Sequence, residues 1–162
     1  VIRARIAAIA EGAIKMFSAA GRAGESFAGR EYFQHYGFTS RPLAGAEGVL
    51  IKEGNHIVMV ASDDRRYRIA VADGEVAIYT DEGDHVHLKR GRVVEIETET
   101  LLIRAGTKVR IETPQLEATG EIVDRCDADG RSMEEMRTIY TSHTHTNTQP
   151  GSGNSGTPNQ GM

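Results

Sequence analysis

Tryptophan is absent from the 162 residues, aromatic side chains make up only 6% of them, and the apolar residues together reach 39%. With so few large side chains, a close-packed core is hard to build from one copy of a chain this long. Part of it is therefore expected to be extended, or several copies to share a core. Cysteine occurs once, as Cys126, which excludes an intramolecular disulfide and any multi-cysteine zinc site. Neither sign of charge dominates: 19 basic residues stand against 23 acidic ones, for a net charge of -4. No basic patch stands out, which argues against a protein that binds nucleic-acid phosphates. No apolar run approaches the ~18 residues needed to cross a bilayer, and no signal-peptide pattern is visible. The chain begins at Val1 without a methionine, and nothing follows from that start.

What is present falls into three zones. Up to about Ala72, apolar stretches alternate with turn-rich segments such as Ser18 to Gly29 and Ser40 to Gly48. Gly54-Asn55, between Val49-Leu50-Ile51 and Ile57-Val58-Met59-Val60, predicts a hairpin turn joining two short strands. The first segment is ambiguous. Ile2, Ile6 and Ile9 fit helical spacing, whereas Ala13 to Phe17 suggests a strand.

From about Tyr67 to Val123, apolar pairs at spacing two recur: Ile69/Val71, Val76/Ile78, Val86/Leu88, Val94/Ile96, Leu101/Ile103, Val109/Ile111 and Leu116/Ala118. Charged residues and breakers such as Asp73-Gly74, Gly83, Gly91, Gly106, Pro114 and Gly120 separate them. Each unit reads as a strand of about five residues, apolar on one face and charged on the other, followed by a tight turn. One thin apolar row has nothing opposite it within the chain, so the repeat calls for partners, and copies around a threefold axis would supply them. At about 4.8 Å per interstrand step the repeat would make a rod on the order of 35 to 40 Å long. An ordinary small β-sandwich or barrel is the alternative, since its strands recur at similar intervals.

After Asp124, the run from Ser132 to Glu135 has the form of a capping box, with Met133, Met136 and Tyr140 on one face of the short helix it opens. Asp124, Asp127 and Asp129-Gly130 lack the carboxylate ladder of a calcium loop and predict a polar turn. From Thr138 to Met162 there is no Asp, Glu, Lys or Arg, a composition usual for flexible tails.

Of six histidines, four form two His-x-His pairs. Residues i and i+2 of a strand point to one side, so each pair could offer two imidazoles to one ion. For His85 and His87, the neighbouring Val86 and Leu88 claim the inner face, and a solvated strand face is expected, not a metal site. His143 and His145 have no apolar competitors. Two imidazoles do not close a site in a monomer, but three chains would supply six, an octahedral set suited to iron(II) or nickel(II). Such a centre has no open coordination position and would be structural, not catalytic.

The residues Gln34-His35-Tyr36-Gly37-Phe38-Thr39-Ser40-Arg41-Pro42, followed by Ala44-Gly45-Ala46-Glu47-Gly48, resemble the start of the Mu-like bacteriophage baseplate assembly, or central spike, proteins. So do the run from Gly91 to Thr119, Gly120-Glu121-Ile122-Val123-Asp124, and Met133 to Tyr140 leading into Ser142-His143-Thr144-His145. The resemblance spans residues from about Gly29 to Thr146. It implies an all-β homotrimer: an N-terminal OB-fold domain over residues 1–72, an intertwined trimeric β-helix or prism over 73–137, and an apex over 138–162. An OB-fold would make the ambiguous first segment strands. The family's apical iron site maps onto His143 and His145, one ion per trimer with six histidine ligands. The resemblance also implies calcium and chloride at the apex, with no ligands assigned here. The tail from Asn147 to Met162 is richer in Gly, Ser and Asn than the family pattern, which leaves its path open.

The function implied is that of a non-enzymatic spike at the tip of a contractile tail baseplate in the virion, piercing the host outer membrane. Baseplate hub and other tail proteins would hold its N-terminal domain, and no nucleic acid is expected as a partner. A phage-derived tailocin or a secretion-system spike fits the same residues. The alternative from another class is a metal-dependent enzyme in which His143 and His145 join a carboxylate to hold an iron with open positions. No nucleophile-base pair, carboxylate pair or lysozyme-like segment stands out. A glycan-binding tail module would need the aromatic platforms that the composition lacks.

Overall fold

The first ten residues alternate side chains to either face of a strand, and a computed structural model that describes residues 1–142 shows them as β1 (Ile2–Ala10). It is followed by β2 (Met16–Ala20), β3 (Ser26–Tyr32), β4 (Glu47–Glu53) and β5 (His56–Asp63). These close into a barrel in the order β1-β2-β3-β5-β4, antiparallel except for the parallel pairing of β3 with β5. The barrel interior holds Ala4, Ile6, Ile9, Phe17, Ala19, Phe27, Tyr32, Ala46, Leu50, Ile57 and Met59. Its polar member is handled locally: the Tyr32 hydroxyl hydrogen-bonds the Ser62 hydroxyl at 2.6 Å.

The helical spacing of Ile2, Ile6 and Ile9 has a strand explanation. Ile6 pairs with Ala19 and Ala8 with Ser18, so Ala7 is an extra residue in the ladder, a β-bulge. The bulge shifts the inward phase by one, and Ala4, Ile6 and Ile9 all reach the core although six to nine is an odd step. A second irregularity lies between β2 and β3, where Phe17 faces Arg30 and Ala19 faces Phe27. Gly29, inside that extra length, takes φ 59°, a conformation glycine adopts without a Cβ clash. Such bulges sharpen local twist and let a short sheet close on itself. Gly48 is needed for a different reason, because a Cβ there would meet the Met59 Sδ in the core.

The Gly54-Asn55 turn joins β4 to β5 as expected, with Glu53 paired to His56 across it. Beyond the barrel, β6 (Val76–Tyr79), β7 (His85–Lys89) and β8 (Val93–Glu97) form an antiparallel meander in that order. These three strands carry the pairs Val76/Ile78, Val86/Leu88 and Val94/Ile96. The other four pairs expected to be strands do not form strands in the single chain. The reason is that a strand exists through its ladder. Among the described residues, 101–121 make no backbone-to-backbone hydrogen bond at all.

The described residues divide into two units after Arg104. In the second, Val123 and Ser132 form an isolated bridge closing a turn, in which the Arg131 N–H donates to the Asp124 carboxylate at 3.3 Å. This is the polar turn expected of that stretch; Gly130 fits it because a Cβ would strike the Asp124 carbonyl. The helix α1 (Met133–Ser142) follows, opened by the capping box. The Ser132 hydroxyl accepts from the Glu135 N–H at 3.1 Å, and the Glu135 carboxylate accepts from the Ser132 N–H at 3.0 Å. The face that carries Met133, Met136 and Tyr140 is not packed in the single chain: all three are exposed, and α1 buries no residue.

Candidate functional site

The β6–β8 meander sets two chemically different faces back to back. Register places Val76 against Leu88 and Leu88 against Val94, and likewise Ile78 against Val86 and Val86 against Ile96. Two rows of branched aliphatic side chains thus run across all three strands. Such cross-strand rows normally lie against a second layer. Here Val76, Ile78, Leu88, Val94 and Ile96 are exposed, and farther along Leu101, Ile103, Val109, Ile111 and Leu116 are between 56% and 67% exposed. The segment poorest in backbone partners is therefore also the one showing its apolar residues to solvent.

The opposite face carries Ala77, His87 and Glu95 in one row and Tyr79, His85 and Glu97 in the next. The expected solvated face for His85 and His87 is corrected here. His87 is only 8% exposed, and its Nε2 lies 3.0 Å from the Glu75 Oε2. Glu75 also accepts the Arg90 N–H at 2.9 Å and the Ala72 N–H at 3.0 Å. Those two backbone donors, with His87 adding to them, pull the Glu75 carboxyl down to about 2. The two rings meet edge to face with centroids 6.3 Å apart, so they do not converge on one ion.

His85 is organised by other partners. Its Nδ1 lies 3.0 Å from the Gly83 carbonyl, and its Nε2 lies 3.5 Å from the Glu95 Oε1 and 3.7 Å from the Glu97 Oε2. The Gly83 carbonyl, and then the Glu95 carboxylate, raise the pKa of this imidazole above its ordinary value. Lys89 also grips the Glu95 carboxylate, and it is the main cause of that group's lowered pKa. The sequence showed each of these residues but not their convergence, because the β7–β8 register is what pairs His85 with Glu97.

Beside the barrel lies an open cleft of about 540 Å³ lined by Arg3, Arg5, Glu47, Asp64, Arg65 and Arg66, among others. Its carboxylates are taken up in ion pairs, Glu47 with Arg65 at 3.1 Å and Asp64 with Arg66 at 2.6 Å, and arginines outnumber them in the lining. The Arg66 guanidinium lowers the Asp64 pKa, so this carboxylate is held ionised, the reverse of what a general acid requires. His143 and His145, the residues read as metal ligands, lie outside the described residues.

Residues 3–66, which contain the whole barrel except Ile2, the first residue of β1, match the family model described as Bacteriophage Mu Gp45, N-terminal. The chain is also 34% identical over 97 residues to the baseplate puncturing device gp45 of Escherichia phage Mu. That match takes in 57% of this chain and 49% of the relative, so the chain spans about half the length of the curated relative it matches. No solved structure matches the chain.

Proposed function

We propose, from the premise that this is a Mu-like baseplate spike protein, that three copies form the membrane-piercing tip of a contractile phage tail. The observation that carries the reading is the incomplete middle of the chain. Residues 101–121 have apolar side chains in solvent and no backbone partners among the described residues. Unpaired strand backbone and exposed aliphatic rows are each unfavourable alone, and a threefold arrangement of identical chains satisfies both at once. Ladders from neighbouring copies would turn Leu101/Ile103, Val109/Ile111 and Leu116/Ala118 into strands of an intertwined β-helix or prism.

The division of labour follows residues 1–72, 73–137 and 138–162. The barrel, whose strand order β1-β2-β3-β5-β4 with a parallel β3–β5 pair supports an OB-fold, docks to the baseplate hub and other tail proteins. The shaft transmits the contraction force, stiffened by backbone hydrogen bonds running through it. The apex carries no formal side-chain charge from Thr138 onward, which spares it the cost of taking unpaired charge into the host outer membrane.

The donor chemistry at the apex fits iron. His143 and His145 from three chains supply six neutral nitrogens, without a carboxylate or thiolate nearby in sequence to favour a different ion. Such an ion supplies coordination bonds that tie three chain ends together. The role is mechanical, without catalysis, and the family match does not favour the metal-dependent enzyme.

Light scattering with elemental analysis of the purified full chain tests this. Three chains and about one iron per trimer are expected. The paired substitutions His143→Ala and His145→Ala should release the iron while the trimer persists, because the shaft holds the chains together. A monomer carrying one metal per chain would overturn the spike reading.

A further inference from the structure

The His85, Glu95 and Glu97 side chains offer three ligand atoms that all lie within 4.8 Å of one another. Two adjacent strands supply them. His85 and Glu97 are register partners across β7 and β8, and Glu95 projects from the same face two residues back. We infer that these three residues form a second metal site, one per chain, for a divalent first-row transition ion of the zinc type.

The imidazole is already set as a ligand. A carbonyl only accepts, so the contact of Nδ1 with the Gly83 oxygen puts the ring hydrogen on Nδ1. In the neutral ring, Nε2 then turns its lone pair toward two carboxylates. Only a proton or a cation satisfies that point. A backbone carbonyl fixing the far ring nitrogen is the usual support of a metal-bound histidine. The spacing also fits. Zinc bonds of about 2.0–2.2 Å to nitrogen and carboxylate oxygen place tetrahedral ligand atoms roughly 3.4 Å apart. The His85 nitrogen lies 3.5 and 3.7 Å from its two carboxylate oxygens. Glu97, whose side chain is 73% exposed, is free to close the remaining gap.

One neutral imidazole and two carboxylates provide two negative charges for a divalent ion. The fourth position is left to water. Lys89, the other cation on Glu95, competes for the same oxygen and sets the affinity lower than the carboxylates alone would give. The site lies on the sheet face opposite the aliphatic rows, so an assembly that covers those rows leaves it open. Bound metal would cross-link β7 to β8.

The test uses the full chain carrying His143→Ala and His145→Ala, which removes the other histidine pair. Calorimetric titration with Zn²⁺ should show one ion per chain, and Co²⁺ should develop visible absorption characteristic of low-coordinate binding. His85→Gln should abolish both signals. Glu97→Gln, at an exposed position that does not endanger folding, should weaken Zn²⁺ binding about tenfold or more. Lys89→Gln should tighten it. Absence of Zn²⁺ binding in this background, or binding unchanged by Glu97→Gln and His85→Gln, would overturn the assignment. Because the apical histidines are already gone, failure here leaves the apical iron untouched, and failure of the iron leaves this site untouched.

Discussion

Val86 on β7 and Ile96 on β8 are register partners on a face that the single chain leaves uncovered, with Ile96 52% exposed. Ile78 flanks Val86 from the other side. In the proposed trimer, three such rows meeting around an axis would make the missing layer, and a charge placed in one of them would be buried three times over. Ile96→Asp is therefore expected to convert the trimer to monomers, since an unpaired buried carboxylate costs several kcal/mol. Light scattering reads the mass, and circular dichroism should show that the barrel persists. A trimer unchanged by this substitution would place the interface elsewhere.

Phe17 is the largest of the fully buried side chains of the barrel. Its truncation in Phe17→Ala is expected to cost about 3–5 kcal/mol through lost burial and the cavity left behind. Denaturant unfolding followed by a barrel-specific probe measures it. A loss below about 1 kcal/mol would mean that the barrel core is packed differently.

Glu75 gives the meander a pH dependence with a definite sign. Its carboxyl is depressed from an ordinary 4.5 to about 2 by the Arg90 and Ala72 N–H donors and His87. A group depressed in the folded state contributes stability that is complete above its unfolded value and disappears as pH falls toward its folded one. The contribution should thus fade between about pH 4.5 and 2. The carboxyl-carbon resonance of Glu75 should titrate near 2. A midpoint at the ordinary value would contradict the hydrogen bonds assigned to it, and Glu75→Gln should remove this part of the acid sensitivity.

The capping box at Ser132 makes a local prediction. Ser132→Ala removes the acceptor for the Glu135 N–H and should destabilise the start of α1 by about 1 kcal/mol. Faster amide exchange at Glu135, with exchange in the barrel unchanged, is the expected signature. Uniform acceleration along the chain would instead tie α1 to the global fold.

Local chemistry is what a sequence displays, and where local chemistry suffices the reading was accurate. The Gly54-Asn55 hairpin, the Ser132–Glu135 capping box and the polar turn before it need only neighbouring residues, and all three form. The aliphatic pairs were visible too, because alternation at spacing two survives wherever the chain is extended. In the structure Val76, Ile78, Leu88, Val94 and Ile96 of these pairs are exposed.

Tertiary structure decided the rest, through pairing between strands distant in sequence. The spacing of Ile2, Ile6 and Ile9 imitates a helix because a bulge at Ala7 changes the inward phase of β1, and a bulge is defined only against the partner strand. His85 and His87 looked like a solvated pair because neighbours in sequence were all that could be compared. Cross-strand register gives His85 to Glu97 and Glu95, while the hydrogen bond to Glu75 claims His87. Alternation along one strand says which side chains share a face. Only the turn lengths and ladder positions of the folded sheet say which of them touch.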